Sequence, residues 1–324
     1  MIEKDSTPFY YPILSELNEV NSLLKNVTSA NFPFLASMLD HIIDSGGKRI
    51  RPSVTLLASK LNNHENSTPI IMATAIEMLH IATLIHDDTV DDSNVRRGKA
   101  TISNLWGQKA AVLAGDYIFA ASATQVCATQ NIRVIRRFSE TIMELSLGEL
   151  QEMEINFNPQ TNLPNYLERI YNKTASLFST SAQSGAILSG CDEESIKSLQ
   201  SYGYNIGMAF QIIDDILDFQ GNEVEVGKPI QTDLANGILT LPSIYALESD
   251  CSDKYISIFD QSNTSAEVIS EFVELVENSK SLERSFSTAT EYSGKAKMDL
   301  EKFPDSDAKQ ALEFLADYII MRKM

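Results

Sequence analysis

Apolar residues recur at three- and four-residue intervals along almost the whole chain, the spacing that gives a helix one buried face. No run of alternating residues bounded by Asn-Gly or Asp-Gly announces a β-hairpin. The pattern predicts an all-α protein with helices over 10–26, 34–44, 52–61, 69–90, 103–130, 132–155, 164–190, 193–220, 240–248, 265–278, 283–302 and 305–322. Ser45-Gly46-Gly47, Asn62 to Thr68, Ser93 to Gly98, Asn158-Pro159 through Pro164 and Gly221 to Gly237 carry loop chemistry between them. None has the composition of an interdomain linker. The expectation is one large antiparallel helix bundle over 1–324, with its first ~30 residues as a peripheral helix.

Two acidic clusters interrupt the apolar pattern, Asp87-Asp88-Thr89-Val90-Asp91 and Asp214-Asp215-Ile216-Leu217-Asp218. Both read DDxxD. Residues four apart on a helix share a face about 6 Å apart along the axis, so Asp87 pairs with Asp91 and Asp214 with Asp218. Like charges at that spacing cost a bare helix about 0.2–0.5 kcal/mol per pair, and no Lys or Arg lies inside either cluster. A divalent cation removes the penalty. All-oxygen donors select Mg²⁺ or Ca²⁺, which points to a metal-bound phosphate ester as ligand. A solvated helix end is the bland alternative, but acids there oppose the macrodipole by about 0.3–1 kcal/mol each. An EF-hand fails at Asp92, where Gly is needed, and at Gly98, where Glu is needed.

Other residues gather around these clusters. His80 lies seven positions before Asp87 on the same helical face, and Arg96-Arg97-Gly98 follows with two planar cations suited to phosphate. Gln211 shares the face of the second cluster, whose apolar neighbours Phe210, Ile212, Ile213, Ile216 and Leu217 predict that its acids line an interior. Gly46-Gly47-Lys48-Arg49-Ile50-Arg51-Pro52 is a glycine turn entering a helix at Pro52; it suits an anion, or is an ordinary capped start with solvated basic residues. Lys173-Thr174 sits among apolar neighbours, as a phosphate contact or a snorkelling cation, and Lys228 lies in a Gly227-Lys228-Pro229 loop that closes over a ligand or stays at the surface.

Composition narrows the field. A net charge of -18 argues against nucleic acid and anionic membrane surfaces. Cys127, Cys191 and Cys251 are odd in number and form no CxxC, which disfavours disulfides and thiolate zinc. The apolar run around Lys109 to Gln125 is broken by Asp116 and no basic segment leads an apolar start, so the expectation is a cytoplasmic protein without stable membrane insertion. A metal phosphohydrolase built on His86-Asp87 leaves the second DDxxD and Lys48-Arg51 unexplained. A terpene cyclase carries a different second motif, and a catalytically silent partner subunit is disfavoured because every acidic motif is intact.

The order of these motifs resembles the trans-isoprenyl diphosphate synthases, the polyprenyl synthetase family, over roughly residues 35–245. The carriers are Gly47-Lys48-Arg49-Ile50-Arg51-Pro52, Asp87 to Asp91 with Arg96-Arg97-Gly98, Lys173-Thr174, Gln211 to Asp218, and Gly227-Lys228-Pro229 with Asp233. The chain departs from the family where Gln231-Thr232-Asp233 replaces Gly-x-Asp. The resemblance implies a helical bundle around a deep cavity, usually a homodimer, with three Mg²⁺ ions per site. By that resemblance Asp87, Asp91 and Asp214 bind metal, supported by Asp88, Asp215 and Asp218. Arg96, Lys173 and Lys228 neutralise an allylic diphosphate; Lys48, Arg51, His80 and Arg97 hold isopentenyl diphosphate; Thr174 and Gln211 stabilise an allylic cation.

Product length then depends on what blocks the cavity below the first acidic cluster. Leu79, Ala82 and Thr83, one to two turns before Asp87, include no aromatic plug. The reading is a long product, heptaprenyl to nonaprenyl, of the kind used in quinone side chains.

Overall fold

A computed structural model describes residues 8–27, 32–43, 46–62, 67–158, 162–220, 232–249 and 266–322. The class is all-α. A 3-10 turn, Pro8–Ile13, precedes α1 (Leu14–Val27), α2 (Pro33–Ile43), α3 (Ile50–Lys60) and α4 (Thr68–Val90). A ribbon of β1 (Val95–Arg96) and β2 (Lys99–Ala100) leads to α5 (Ile102–Trp106), α6 (Gln108–Cys127), α7 (Ile132–Ile155) and α8 (Leu163–Ile170). A π turn, Tyr171–Ala175, then joins α9 (Ser176–Leu188). The rest is α10 (Glu193–Gln220), the short α11 (Thr232–Ala235), α12 (Leu241–Ser249), α13 (Ala266–Asn278), α14 (Ser281–Leu300) and α15 (Asp307–Met321).

The chain divides into two compact units. The first comprises residues 1–139, 180–200 and 300–314, the second 140–179, 201–299 and 315–324. In the first, α4 is apolar nearly all round and packs against α6, α3 and α1. A helix of that pattern belongs in an interior. Its partner α6 turns small residues toward it, with Ala111, Ala114, Gly115 and Ser122 buried, and a Cβ on Gly115 would strike the His86 ring. By length and composition α4 and α6 are apolar enough to cross a membrane; 67% of the most apolar window of α4 and 33% of that of α6 is buried in the protein.

The core of the second unit joins Tyr166 and Ile170 of α8 to Met208, Ile212, Ile213, Ile216 and Phe219 of α10, with Leu241, Ile244, Phe272 and Val276 beyond. The π turn is flanked by glycines. A Cβ on Gly148 of α7 would lie 2.6 Å from the Lys173 nitrogen, and one on Gly207 of α10 would lie 2.5 Å from the Ala175 Cα. An extra residue in one helical turn widens the backbone, and neighbours without side chains accommodate it.

Four expectations need correction. The predicted helix 103–130 breaks at Gly107, whose φ of 85° ends α5 and starts α6. The predicted helix 164–190 is divided by the π turn. The stretch judged free of hairpins holds the two-residue antiparallel ribbon, because Arg97 and Gly98 both adopt positive φ, 52° and 72°, as a primed turn requires. Helix α3 begins at Ile50 rather than Pro52, after Arg49 in the left-handed region.

The tight fit at the π turn gives a stability test. Gly207→Ala should destabilise the protein by about 1–3 kcal/mol, the usual cost of overpacking, which outweighs a helix-propensity gain of about 0.8–1 kcal/mol and shows as a lower urea midpoint. An unchanged or raised midpoint would show that α10 can move away from the turn.

Candidate active site

One face of α4 organises the first unit's polar cleft. Glu77, His80 and Asp88 stand on that face, and each engages a different arginine. Arg49 Nη1 reaches Glu77 Oε1 at 2.5 Å, with both side chains buried. Arg51 Nη1 donates to His80 Nε2 at 3.3 Å, and Arg96 Nε donates to Asp88 Oδ1 at 2.7 Å. Arg97 joins them by donating to the Gly46 carbonyl. The walls of the cleft include Arg49, Glu77, His80, Asp88, Arg96 and Arg97.

Its electrostatics favour an anion. Burial, then the fields of Arg51, Arg97, Arg96 and Arg49, hold the His80 pKa well below its ordinary value. The ring is therefore neutral, and its Nε2 accepts the hydrogen bond from Arg51. Burial raises the Asp88 carboxyl and Arg96 opposes that shift, while burial lowers the pKa of Arg97. Lys48 is exposed beside the cleft, and its carbonyl accepts the Tyr10 hydroxyl.

Asp87 and Asp91 occupy the last turn of α4 and its cap, where the Asp91 N–H donates to the Asp87 carbonyl at 2.8 Å. Asp91 is exposed and Asp87 half-buried, in contrast to the enclosed Asp88. Farther back on α4, Leu79 and Ala82 are fully buried, and Thr83 donates to the His80 carbonyl at 2.9 Å.

The second unit holds a hydrogen-bonded chain. Thr174 Oγ1 donates to Gln211 Oε1 at 2.6 Å, Gln211 Nε2 donates to Asp215 Oδ1 at 2.9 Å, and Tyr166 Oη donates to Asp215 Oδ2 at 2.6 Å. Burial first, and repulsion from Asp233 second, push the Asp215 carboxyl up to about 7; the bonds from Tyr166 and Gln211 work against that rise. Asp218 is buried and accepts the Asp233 N–H at 3.3 Å, at the start of α11. Asp214 is half-buried and pairs with Arg322 Nη1 at 3.2 Å, whose guanidinium lies 4.2 Å above the Phe210 ring.

The Lys173 ammonium sits 2.5 Å from Glu152 and 3.2 Å from Glu149 of α7, two acids that its apolar neighbours in sequence do not announce. Lys228 lies outside the described residues. Sequence reasoning missed Glu77, Arg49, Tyr166 and Arg322. Glu77 did leave a signal, as the lone acid in the apolar stretch Ile70 to Ile85, whereas nothing local in sequence joins Tyr166 to Asp215 or Arg322 to Asp214.

Asp91, exposed, and Asp87 and Asp214, half-buried, offer carboxylate oxygens that suit a hard cation. Mg²⁺ is ordinarily bound through one or two such carboxylates, with water and substrate phosphate in its remaining positions. Among the described residues no three His, Cys, Asp or Glu side chains converge on one point.

Comparison with known proteins gives the same direction. The polyprenyl synthetase family model matches residues 32–276. Heptaprenyl diphosphate synthase component 2 of Bacillus subtilis (strain 168) is 36% identical over 308 residues, covering 95% of this chain and 88% of that protein. Chloroplastic solanesyl-diphosphate synthase 2 of Oryza sativa subsp. japonica is 36% identical over 321 residues, covering 96% of this chain and 78% of that protein. The crystal structure of a polyprenyl synthase from Caulobacter crescentus CB15, complexed with calcium and isoprenyl diphosphate, superposes with a TM-score of 0.92 at 30% identity, over 97% of this chain and 96% of that one. Family match, relatives and fold together make this chain a member of the polyprenyl synthetase family, a prenyltransferase of the polyprenyl diphosphate synthase class.

Proposed function

We propose that the protein condenses isopentenyl diphosphate with an allylic diphosphate, trans and head to tail, and repeats the step to a heptaprenyl to nonaprenyl product. The observation that carries this reading is the arginine cleft beside a neutral His80, on the same helix that ends in Asp87 and Asp91. The cleft takes the diphosphate of isopentenyl diphosphate through Arg51, His80, Arg97 and Lys48. Asp87, Asp91 and Asp214 serve the allylic diphosphate through Mg²⁺, three ions per site, with Asp88, Asp215 and Asp218 in support. Three relatives support this assignment: the Caulobacter crescentus protein was crystallised with calcium and isoprenyl diphosphate, and the Bacillus subtilis and Oryza sativa enzymes are named for heptaprenyl and solanesyl products.

Bound Mg²⁺ supplies the charge that stabilises the departing diphosphate. Arg96, Lys173 and Lys228 add to that field. The Thr174 proton is committed to Gln211, so the hydroxyl oxygen turns its lone pairs to an allylic cation. Tyr166 and Asp215 hold Gln211 in place. The double bond of isopentenyl diphosphate attacks the cation, and the proton released afterwards goes to the departed diphosphate. No side-chain nucleophile takes part.

We assign the working form as a cytoplasmic homodimer with the whole chain as one catalytic domain. Val112, Leu113 and Tyr117 on α6, and Met143, Leu147, Leu150 and Met153 on α7, leave apolar area exposed that a second copy would cover.

Two tests follow from this reading. Purified protein with farnesyl diphosphate, labelled isopentenyl diphosphate and Mg²⁺ should yield products beyond geranylgeranyl, and Ala82→Phe should shorten them; a wild-type product no longer than geranylgeranyl would refute the length assignment. Asp214→Ala should lower kcat by about 10²–10³, as removal of one oxyanion stabiliser does elsewhere, measured by steady-state kinetics at saturating Mg²⁺. A change below twofold would remove Asp214 from the site.

A further inference from the structure

Glu77 touches none of the atoms assigned above to a substrate, yet the cleft is built around it. Its carboxylate holds Arg49 at 2.5 Å, both side chains are buried, and Asn21 Oδ1 accepts from Arg49 Nε at 3.2 Å. Arg49 is the residue before α3, in the left-handed region at φ 49°, and no side chain caps the helix there. That backbone conformation costs a non-glycine residue energy, and a buried pair of this kind can hold it.

The anchor reaches Arg97 through the glycine turn. A Cβ on Gly47 would lie 3.0 Å from Arg97 Nη1 and 3.1 Å from Arg49 Nη1, so both guanidinium groups pack against one residue. Arg97 also donates to the Gly46 carbonyl, and its charge is supported by the field of Glu77. One turn along α4 from Glu77, His80 accepts from Arg51. Three arginines, Arg49, Arg96 and Arg97, therefore line this cleft, with Arg51 bonded to His80 beside them, and Glu77 and Asp88 are the carboxylates in its wall.

We propose that Glu77 is a positioning residue for the isopentenyl diphosphate subsite: by fixing Arg49 it sets the Gly46-Gly47 backbone and, through it, the place of Arg97 and Arg51 before the anion arrives. This inference rests on the assignment of the cleft to isopentenyl diphosphate. Its consequence is selective. Loss of the Glu77 charge disturbs one subsite and leaves the allylic one, at Asp87, Asp91 and Asp214, intact.

The test uses the full-length enzyme and two Michaelis constants. Glu77→Gln should raise the KM for isopentenyl diphosphate roughly tenfold or more, the scale of one charge-assisted contact, while the KM for farnesyl diphosphate stays within about twofold and kcat falls less than that KM rises. Glu77→Asp should recover part of the loss. The double variant Arg49→Met/Glu77→Met removes the buried pair without leaving a lone charge, so it folds even if Glu77→Gln does not; its KM for isopentenyl diphosphate should remain raised. A folded double variant with a wild-type KM would show that the pair serves stability alone and would overturn the inference, as would Glu77→Gln raising both KM values alike. Arg51→Met separates the two claims. If it raises the KM for isopentenyl diphosphate and Glu77→Gln does not, only the role of Glu77 fails; if neither variant moves it, the cleft is not that substrate's site.

Discussion

A charge on the inward face of a buried helix survives only beside its opposite, because leaving one partner alone costs several kcal/mol. Helix α4 meets this condition along its length. Glu77 faces Arg49, Asp88 faces Arg96, and His80 avoids the cost by staying neutral against Arg51. Because those inward charges are matched within the protein, the polar surface that remains is cationic in the cleft and anionic at the helix end, where Asp87 and Asp91 lie nearer to solvent. In the second unit hydrogen bonds share this task with charge: Asp215 accepts from Tyr166 and Gln211, Asp218 accepts the Asp233 N–H, and Asp214 pairs with Arg322.

This sorting separates the aspartates of each motif by exposure. The middle acid of each cluster is enclosed and bonded to protein, Asp88 to Arg96 and Asp215 to Gln211. The first acid of each cluster is more accessible and suits a metal-bound ligand. The π turn that carries Thr174 belongs to the same economy of space: between Gly148 and Gly207 the backbone is fixed closely enough to aim one hydroxyl at one amide.

Much of the fold was legible because it is carried by period. Apolar residues at three and four gave the long helices such as α4, α7 and α10 to within a few residues. What escaped was set by backbone conformation at single positions: the positive φ of Gly107 that divides one predicted helix, those of Arg97 and Gly98 that form a ribbon, and that of Arg49 that starts α3 early. The acidic clusters and their arginines were visible because DDxxD and Arg-Arg-Gly are local in sequence. Tyr166 with Asp215 and Arg322 with Asp214 were not, since partners separated by 49 residues or more along the chain meet only through the fold. The glutamates beside Lys173 escaped for a related reason, as they come from another helix.

The central claim is that the two DDxxD motifs serve one diphosphate through magnesium. Calorimetric titration of a non-ionisable allylic thiodiphosphate into the protein, with Mg²⁺ and then with a chelator, tests it most directly. The account predicts tight binding with Mg²⁺ that is lost on chelation and is weakened by neutralising either Asp87 or Asp214. Equal binding with and without the metal, or a response to only one of those two residues, would contradict it.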